Sequence, residues 1–162
     1  MKPVGYSLSQ ILLHWVVVLL LLPQYLLEDG IKAAWRAFRQ GTEASFDVTV
    51  PMHVFGGLTV LVLVLWRIAI RLRRGAPEAP EGGNPLLDKI AGLTHLLLYA
   101  LLIAVPATGA AAWFGGFTEL GDVHEALKTV LMILAGLHIV AALYHQFVLR
   151  DGLLERMKRP AR

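Results

Sequence analysis

Four long apolar segments dominate this sequence and limit what it can fold into. They account for most of its 56% hydrophobic residues, a share above the roughly 45–50% of soluble domains. Each is long enough to cross a hydrocarbon layer about 30 Å thick as one helix, the form that satisfies every backbone hydrogen bond in lipid. The predicted spans are Leu8–Leu27, Val50–Arg71, Leu86–Phe114 and Glu125–Leu149. The predicted fold class is therefore an all-α membrane protein with a four-transmembrane-helix bundle.

The spans leave little chain for anything else, which predicts one domain over residues 1–162 and no soluble catalytic module. Gly75–Pro85 is rich in Pro and Gly and reads as the clearest linker. The first span is expected to be retained, because its apolar run is too long for a cleaved signal peptide and no small-residue cleavage site follows. The chain has no cysteine, which excludes disulfides, iron–sulfur clusters, thiolate-ligated haem and covalent haem attachment.

The basic residues are distributed unevenly between the two predicted sides. Eleven of the fifteen Lys and Arg lie at the N-terminus, around the connection between spans two and three, and in the C-terminal tail. The other four, Lys128 among them, belong to the remaining two connections. By the positive-inside rule both termini are cytoplasmic. The charges are thus a topology signal, and no nucleic-acid partner is predicted.

The fourth span carries the most informative pattern. His124 and His138 are fourteen residues apart, which on a helix is roughly 21 Å along the axis and about four turns, so both point to nearly one face. One helix thus offers an imidazole near each side of the membrane. Two ligands at that separation suit two stacked haems, one in each leaflet.

The predicted topology sorts the other histidines around this pair. His53 in span two lies on the external side with His124, so these two are the candidate ligands there. On the cytoplasmic side, His138 has two candidate partners, His14 in span one and His95 in span three. Zinc is the rival metal, but the chain has neither Cys nor an H-E-x-x-H motif. A lone membrane histidine more often serves packing, but six sorted to two depths indicate haem.

Further residues suggest how such haems would be accommodated. Arg67 follows His53 by fourteen residues and should face the bundle interior at the depth of the cytoplasmic haem, with Arg71 one turn beyond. Either could pair with a haem propionate, and the alternative is that both are ordinary positive-inside anchors. Gly56 and Gly57 would let a flat macrocycle approach the backbone, or would serve plain helix packing.

The order and spacing of these residues resemble the prokaryotic cytochrome b561 family of four-helix di-haem membrane proteins. The resemblance covers essentially the whole chain. The stretches that carry it are ILLHW, PMHVFGG, GLTHLLLY, DVHEAL and GLHIVAALYH with its RDGLLERM ending. It implies that helices one, two and four ligate two non-covalent b-type haems: His14 with His138, and His53 with His124. His95 is then not a ligand.

The resemblance also implies a function. Stand-alone members carry electrons between quinone and another partner, and at least one kind oxidises superoxide externally and reduces ubiquinone. The chain looks like a stand-alone member, for which no permanent protein partner is expected. Alternatives are a haem-bearing anchor subunit that passes electrons from a dehydrogenase or hydrogenase to quinone, and a non-redox membrane packing or transport protein. Because superoxide is an anion, its approach would depend on the basic face of a short interfacial helix formed by Lys32, Arg36 and Arg39.

His95 and His145 are left without iron in this pairing. His145 follows His138 by seven residues, on nearly the same helical face and about 10 Å further along. Both are predicted to act at a quinone site beside the cytoplasmic haem, where histidine can supply protons and hydrogen bonds. The alternative is that each only hydrogen-bonds a neighbouring helix.

Overall fold

A computed structural model describes residues 3, 5–77 and 85–161. The described chain forms five helices in the order α1 (Leu8–Leu26), α2 (Asp29–Gln40), α3 (Thr49–Arg74), α4 (Pro85–Gly115) and α5 (Thr118–Tyr144). A five-residue π-helical turn, His145–Leu149, continues α5, and a short 3₁₀ turn, Glu155–Met157, follows. Four of these helices, α1, α3, α4 and α5 with its π-helical extension, are long and apolar enough to cross a membrane. The predicted fold class is confirmed.

The helix ends agree with the predicted spans except at one place. The prediction began the fourth span at Glu125 and left Phe114–Gly121 as a turn, and this is wrong, because α5 already begins at Thr118. Glu119 lies in the first turn of α5, where a carboxylate is favoured by the positive end of the helix dipole. The connection from α4 is therefore only two residues long. Of the predicted linker Gly75–Pro85, residues 78–84 lie outside the described part of the chain.

Capping residues fix the entry of the chain into the bundle. Ser7 and Gln10 form a reciprocal capping box at the start of α1, in which the Ser7 backbone N–H donates to Gln10 Oε1 over 2.9 Å. The Gln10 side chain also donates to the carbonyl of Gly75, 3.1 Å away, just after α3. The start of α1 and the end of α3 are thereby joined. Gly41, with φ of 65°, ends α2 in a conformation that favours glycine.

Each membrane helix packs against the next one along the chain. In the described residues α1 packs along α3, α3 along α4, and α4 along α5, while α2 lies against α3. Val17, Val60 and Val64 form the small fully packed centre, and Tyr99 and Leu102 lie against it. Most other large apolar side chains are exposed, as expected for residues that face lipid. Instead of close helix packing, a hydrogen bond from the Tyr25 hydroxyl to the Lys128 carbonyl joins α1 to α5, at 3.1 Å.

Candidate functional site

The outer histidine pair, His53 of α3 and His124 of α5, faces across the bundle. The ring centroids are 6.2 Å apart and the ring planes are 78° apart. Two imidazoles that bind one metal from opposite sides, each through a nitrogen about 2 Å from it, have centroids about 6 Å apart. The separation of this pair therefore fits a shared metal ion.

His124 is held in position through its other nitrogen. Its Nδ1 lies 2.8 Å from the Val105 carbonyl of α4, and since a carbonyl only accepts, Nδ1 carries the proton. Nε2 is then the nitrogen with a free lone pair, which is the usual arrangement of a metal-bound histidine. Gly109 makes this contact possible, because a Cβ there would lie 2.9 Å from His124 Nδ1.

His53 carries an unsatisfied nitrogen. Its Nδ1 is buried and has no hydrogen-bond partner in the described residues. Such orphaned groups are rare in native proteins, and an ion or cofactor is one of the explanations for them. A metal bound through Nε2 would leave this Nδ1 unchanged, so the orphaned atom is a feature of the site that the described residues do not explain.

A cavity of about 600 Å³ contains both outer histidines. This volume lies within the roughly 300–1,000 Å³ typical of cofactor pockets. Its walls come from all five helices and are mainly apolar towards the middle of the bundle, with examples such as Leu21, Val60, Leu102 and Leu131. Trp35 and Trp113 line it as well, with ring centroids 6.5 Å apart. The outer pair thus lies in a chamber whose size and apolar walls suit a flat, largely apolar group.

Charged residues line the same cavity near the outer pair. Lys128 is buried, and its Nζ lies 2.6 Å from Glu28 and 2.9 Å from Glu125. Glu28 also pairs with Lys32. Partial burial alone would raise the pKa of Glu28, but hydrogen bonds from Lys128 and Lys32 bring that pKa below its ordinary value. Glu28 is therefore ionised at neutral pH, and the cavity carries compensated charges.

The position of Lys128 corrects the sequence analysis, which assigned it to an external connection. It lies within α5, one turn past His124. The four-residue spacing from His124 to Lys128 could have shown this, because a lysine inside a membrane span is costly and usually lies near a functional site. The uneven distribution of basic residues is unaffected by this change.

The inner histidine cluster consists of His14, His95 and His138. The ring centroids of His14 and His138 are 6.5 Å apart, close to the separation of the outer pair. The centroids of His95 and His138 are 5.3 Å apart. Both candidate partners thus lie beside His138, and the pairing of His14 with His138 stays a prediction.

His95 and His145, the two histidines that are not predicted ligands, make different hydrogen bonds. The Nδ1 atom of His95 lies 2.7 Å from the Ala91 carbonyl of its own helix. The Nδ1 atom of His145 lies 2.5 Å from an Asp151 carboxylate oxygen, beyond the end of α5. The alternative to a role at the quinone site was a hydrogen bond from each histidine to a neighbouring helix. The Nδ1 atoms do not make such a bond.

The two arginines converge on Tyr99 of α4. Arg67 donates from Nε to the Tyr99 hydroxyl over 3.0 Å and from a terminal nitrogen to the Gln10 carbonyl over 3.3 Å. The Arg71 guanidinium lies 5.9 Å from the centre of the Tyr99 ring. Tyr99 and Gln10 each lie one turn from a histidine of the inner cluster, so Arg67 lies beside that cluster. The pairing of either arginine with a haem propionate stays a prediction. The sequence did not predict Tyr99 and Gln10 as partners of Arg67, because nothing in a single apolar span shows which residue of another helix will lie close to it.

The glycines of α3 have a local partner. A Cβ on Gly56 would lie 2.4 Å from the Gln24 side-chain nitrogen of α1, while Gly57 lines the cavity. Gly56 therefore serves the approach of α1 in this structure, and Gly57 has the position expected for a residue beside a cofactor.

The whole chain matches a known family. The family model described as prokaryotic cytochrome b561 matches residues 5–160. The chain belongs to the prokaryotic cytochrome b561 family. Membership makes it a membrane haem protein of electron transfer, with b-type haem as its cofactor.

Individual relatives agree with this family. The chain is 43% identical to a protein named cytochrome b562 from Cereibacter sphaeroides, over 96% of each chain. It is 31% identical to a probable superoxide oxidase CybB from Yersinia pestis, over 94% of each chain. It is 27% identical to cytochrome b561 homolog 1 of Escherichia coli strain K12, over 94% of this chain and 96% of the relative.

The residues of the outer site fit a b-type haem. The centroid separation and the size of the cavity agree with a macrocycle held between His53 and His124. When bound, the haem would supply one-electron chemistry. The protein's contribution is to orient His124 through Val105, to surround the site with apolar side chains, and to keep Lys128 paired close by.

Replacing Gly109 with Ala tests the close approach of α4 to His124. The added methyl would meet the imidazole, and the expected result is displacement of His124 and loss of haem from the outer site. Haem content per chain, measured by pyridine haemochrome, should fall, with the inner haem retained. Gly92→Ala in the same helix is the matched control, because its Cβ would meet no atom within 4 Å. Full haem content in Gly109→Ala would contradict this account.

Proposed function

We propose that the protein is a membrane oxidoreductase that takes electrons from superoxide on the external side and delivers them to ubiquinone. The observation that carries the proposal is the geometry of α5. Its two histidines, fourteen residues apart, each face a histidine of another helix with centroids about 6 Å apart. One helix thus presents a candidate haem site at each of two depths. Two b-type haems per chain would carry single electrons between them.

The overall reaction balances with two protons taken up from the cytoplasmic side and no other reactant. Two superoxide anions give two molecules of O₂ and two electrons. One ubiquinone takes those two electrons and two protons and becomes ubiquinol. The residues of the chain therefore have to admit an anion at one side and supply protons at the other. The probable superoxide oxidase among the relatives supports this choice of substrate.

Two of the three basic residues on the face of α2 are engaged in ion pairs. Lys32 is paired with Glu28, and Arg39 lies 3.2 Å from Asp122. Arg36 lines the cavity and forms no ion pair with any described residue. An unpaired cation at the cavity wall attracts an anion at short range, even where the surrounding connections are net acidic. Arg36 is thus the residue of this face best placed to receive superoxide.

The positions of the termini follow from the bundle. Ala161 donates its backbone N–H to the Tyr6 carbonyl over 3.0 Å, so the two ends of the described chain lie together. A chain that crosses the membrane four times also has both ends on the same side. Together with the distribution of basic residues, this supports the proposal that both termini are cytoplasmic and that the outer pair lies on the external side of the inner membrane.

The histidine assignments predict haem content. His53→Ala or His124→Ala should remove one of two haems, and His14→Ala or His138→Ala should remove the other. His95→Ala should keep both haems and slow quinone reduction tenfold or more, as loss of a positioned proton donor does. Haem per chain and the reduced-minus-oxidised spectrum measure these outcomes. Loss of the inner haem from His95→Ala would make His95 a ligand in place of His14.

The substrate is tested with purified protein, ubiquinone and a superoxide source. Haem reduction followed by quinol formation, both faster than spontaneous dismutation allows, is the expected result. Arg36→Glu should lower the second-order rate of haem reduction and reverse its salt dependence, while Arg73→Glu, on the exposed cytoplasmic end of α3, should not. Superoxide decay at the spontaneous rate, with a large catalytic subunit co-purifying, would favour the anchor subunit. Folded protein that binds no haem would favour a non-redox role.

The orientation is tested with reporters fused to each terminus. Green fluorescent protein should fluoresce at either end, and alkaline phosphatase should be inactive at both, since it needs an oxidising exterior to form its disulfides. Active phosphatase at either end would overturn the assigned topology and exchange the two sides of the proposed reaction.

A further inference from the structure

The end of α5 departs from regular helix at His145, a histidine that is not among the predicted haem ligands. The helix becomes π-helical at His145, and the turn ends at Leu149. Asp151 then returns to His145, with Oδ2 2.5 Å from Nδ1. Both side chains are mostly buried, with His145 27% and Asp151 20% exposed. A wide turn and a His–Asp contact thus coincide at the end of the span.

The backbone of this turn is in an unusual conformation. Arg150 has φ of 52° and ψ of 35° and is the one residue other than glycine with positive φ in the described chain. An arginine in this region is strained relative to glycine. Strained residues and π-helical turns both concentrate at functional sites. Here the conformation of Arg150 reverses the chain, which brings Asp151 back to His145.

Asp151 is held by two bonds. Its Oδ1 accepts the Leu153 backbone N–H over 3.0 Å, which leaves Oδ2 for the imidazole. Partial burial alone would raise the pKa of Asp151, but the hydrogen bonds from His145 and from Leu153 bring it below its ordinary value. The carboxylate is therefore ionised at neutral pH, and its Oδ2 accepts a hydrogen bond from the Nδ1 N–H of His145. His145 then presents Nε2 to whatever binds beside it.

The segment that follows is anchored to α1. Trp15 donates its indole N–H to the Met157 carbonyl over 2.8 Å. Trp15 is next to His14, and their rings are in edge contact at 5.2 Å. His145 itself lies about 10 Å along α5 from His138. The His–Asp pair is thus fixed at the same end of the bundle as the inner histidine cluster, close to the expected electron source.

We propose that Asp151 is the positioning residue of His145, and that this pair delivers protons to ubiquinone. The inference rests on the proposed function and assigns the proton path of its quinone site. Protonated His145 would donate from Nε2 to a quinone oxygen and keep the Nδ1 proton shared with Asp151, then take up another proton from the cytoplasmic side. Two such transfers supply the two protons, and two superoxide anions supply the two electrons. Carboxylates that fix a tautomer in this way are a common device in enzymes.

The kinetic test compares Asp151→Asn, Asp151→Glu and His145→Gln. Asp151→Asn should lower kcat for quinol formation about 10- to 100-fold, as loss of an orienting partner does, with KM for ubiquinone changed much less. His145→Gln should lower kcat at least as much, and Asp151→Glu should recover part of the loss. Haem spectra and haem reduction by superoxide should be unchanged in all three. Glu155→Gln is the matched control, because the ion pair that Glu155 makes within the described part of the chain is with Lys158, on the surface of the same segment.

A second measurement tests the positioning without quinone. With ¹⁵N-labelled histidine in nanodiscs, the His145 imidazole should be the Nδ1–H tautomer in the parent chain and a mixture in Asp151→Asn. An unchanged tautomer would overturn the role of Asp151. Parental kcat in both Asp151→Asn and His145→Gln would overturn proton delivery while leaving superoxide oxidation intact. A parent chain that reduces no quinone would instead overturn the proposed function and proton delivery with it, and the tautomer would still decide the positioning.

Discussion

A polar side chain inside the lipid core must find its partner within the protein, and this constraint explains most of the specific contacts of the bundle. Arg67 reaches both Tyr99 and the Gln10 carbonyl, and Lys128 sits between two carboxylates. His124 bonds to Val105 across helices. Apolar helices in lipid gain little from packing alone, so these bonds carry much of the information about which helix lies beside which.

The same constraint explains why the candidate haem site lies where it does. Helix α1 follows α3 closely but reaches α5 through the Tyr25 hydroxyl, and the cavity of about 600 Å³ lies among these helices. A bundle that binds a macrocycle has to leave space in its centre. The packed core around Val64 is therefore small. The cofactor of this family then acts as part of the core, and its ligands are among the buried polar groups that need a partner.

Two networks of charge and hydrogen bonds occupy the two ends of α5. Near His124, Lys128 and Glu28 compensate each other in the cavity wall, and Arg36 lines the same cavity without an ion pair to any described residue. Beyond His138, the strained turn at Arg150 directs Asp151 to His145. In the proposed reaction, electron entry from an anion and electron exit to a protonated product have opposite requirements. The cation at one end and the His–Asp pair at the other are the features that support that proposal.

The sequence by itself determined the four spans, the family and the depth of each histidine, because length, hydropathy and helical periodicity are local properties. It also predicted Arg67 at the level of the inner cluster through its fourteen-residue spacing from His53. It misplaced the start of α5 and assigned Lys128 to a connection, since polar residues at a helix end resemble a loop. Only the tertiary structure decided that Gly109 admits the His124 ring, that Tyr99 receives Arg67, and that Asp151 returns to His145. Those contacts join residues of different elements, or depend on one residue with positive φ. Neither kind of contact produces a periodic pattern of residues from which it could be predicted.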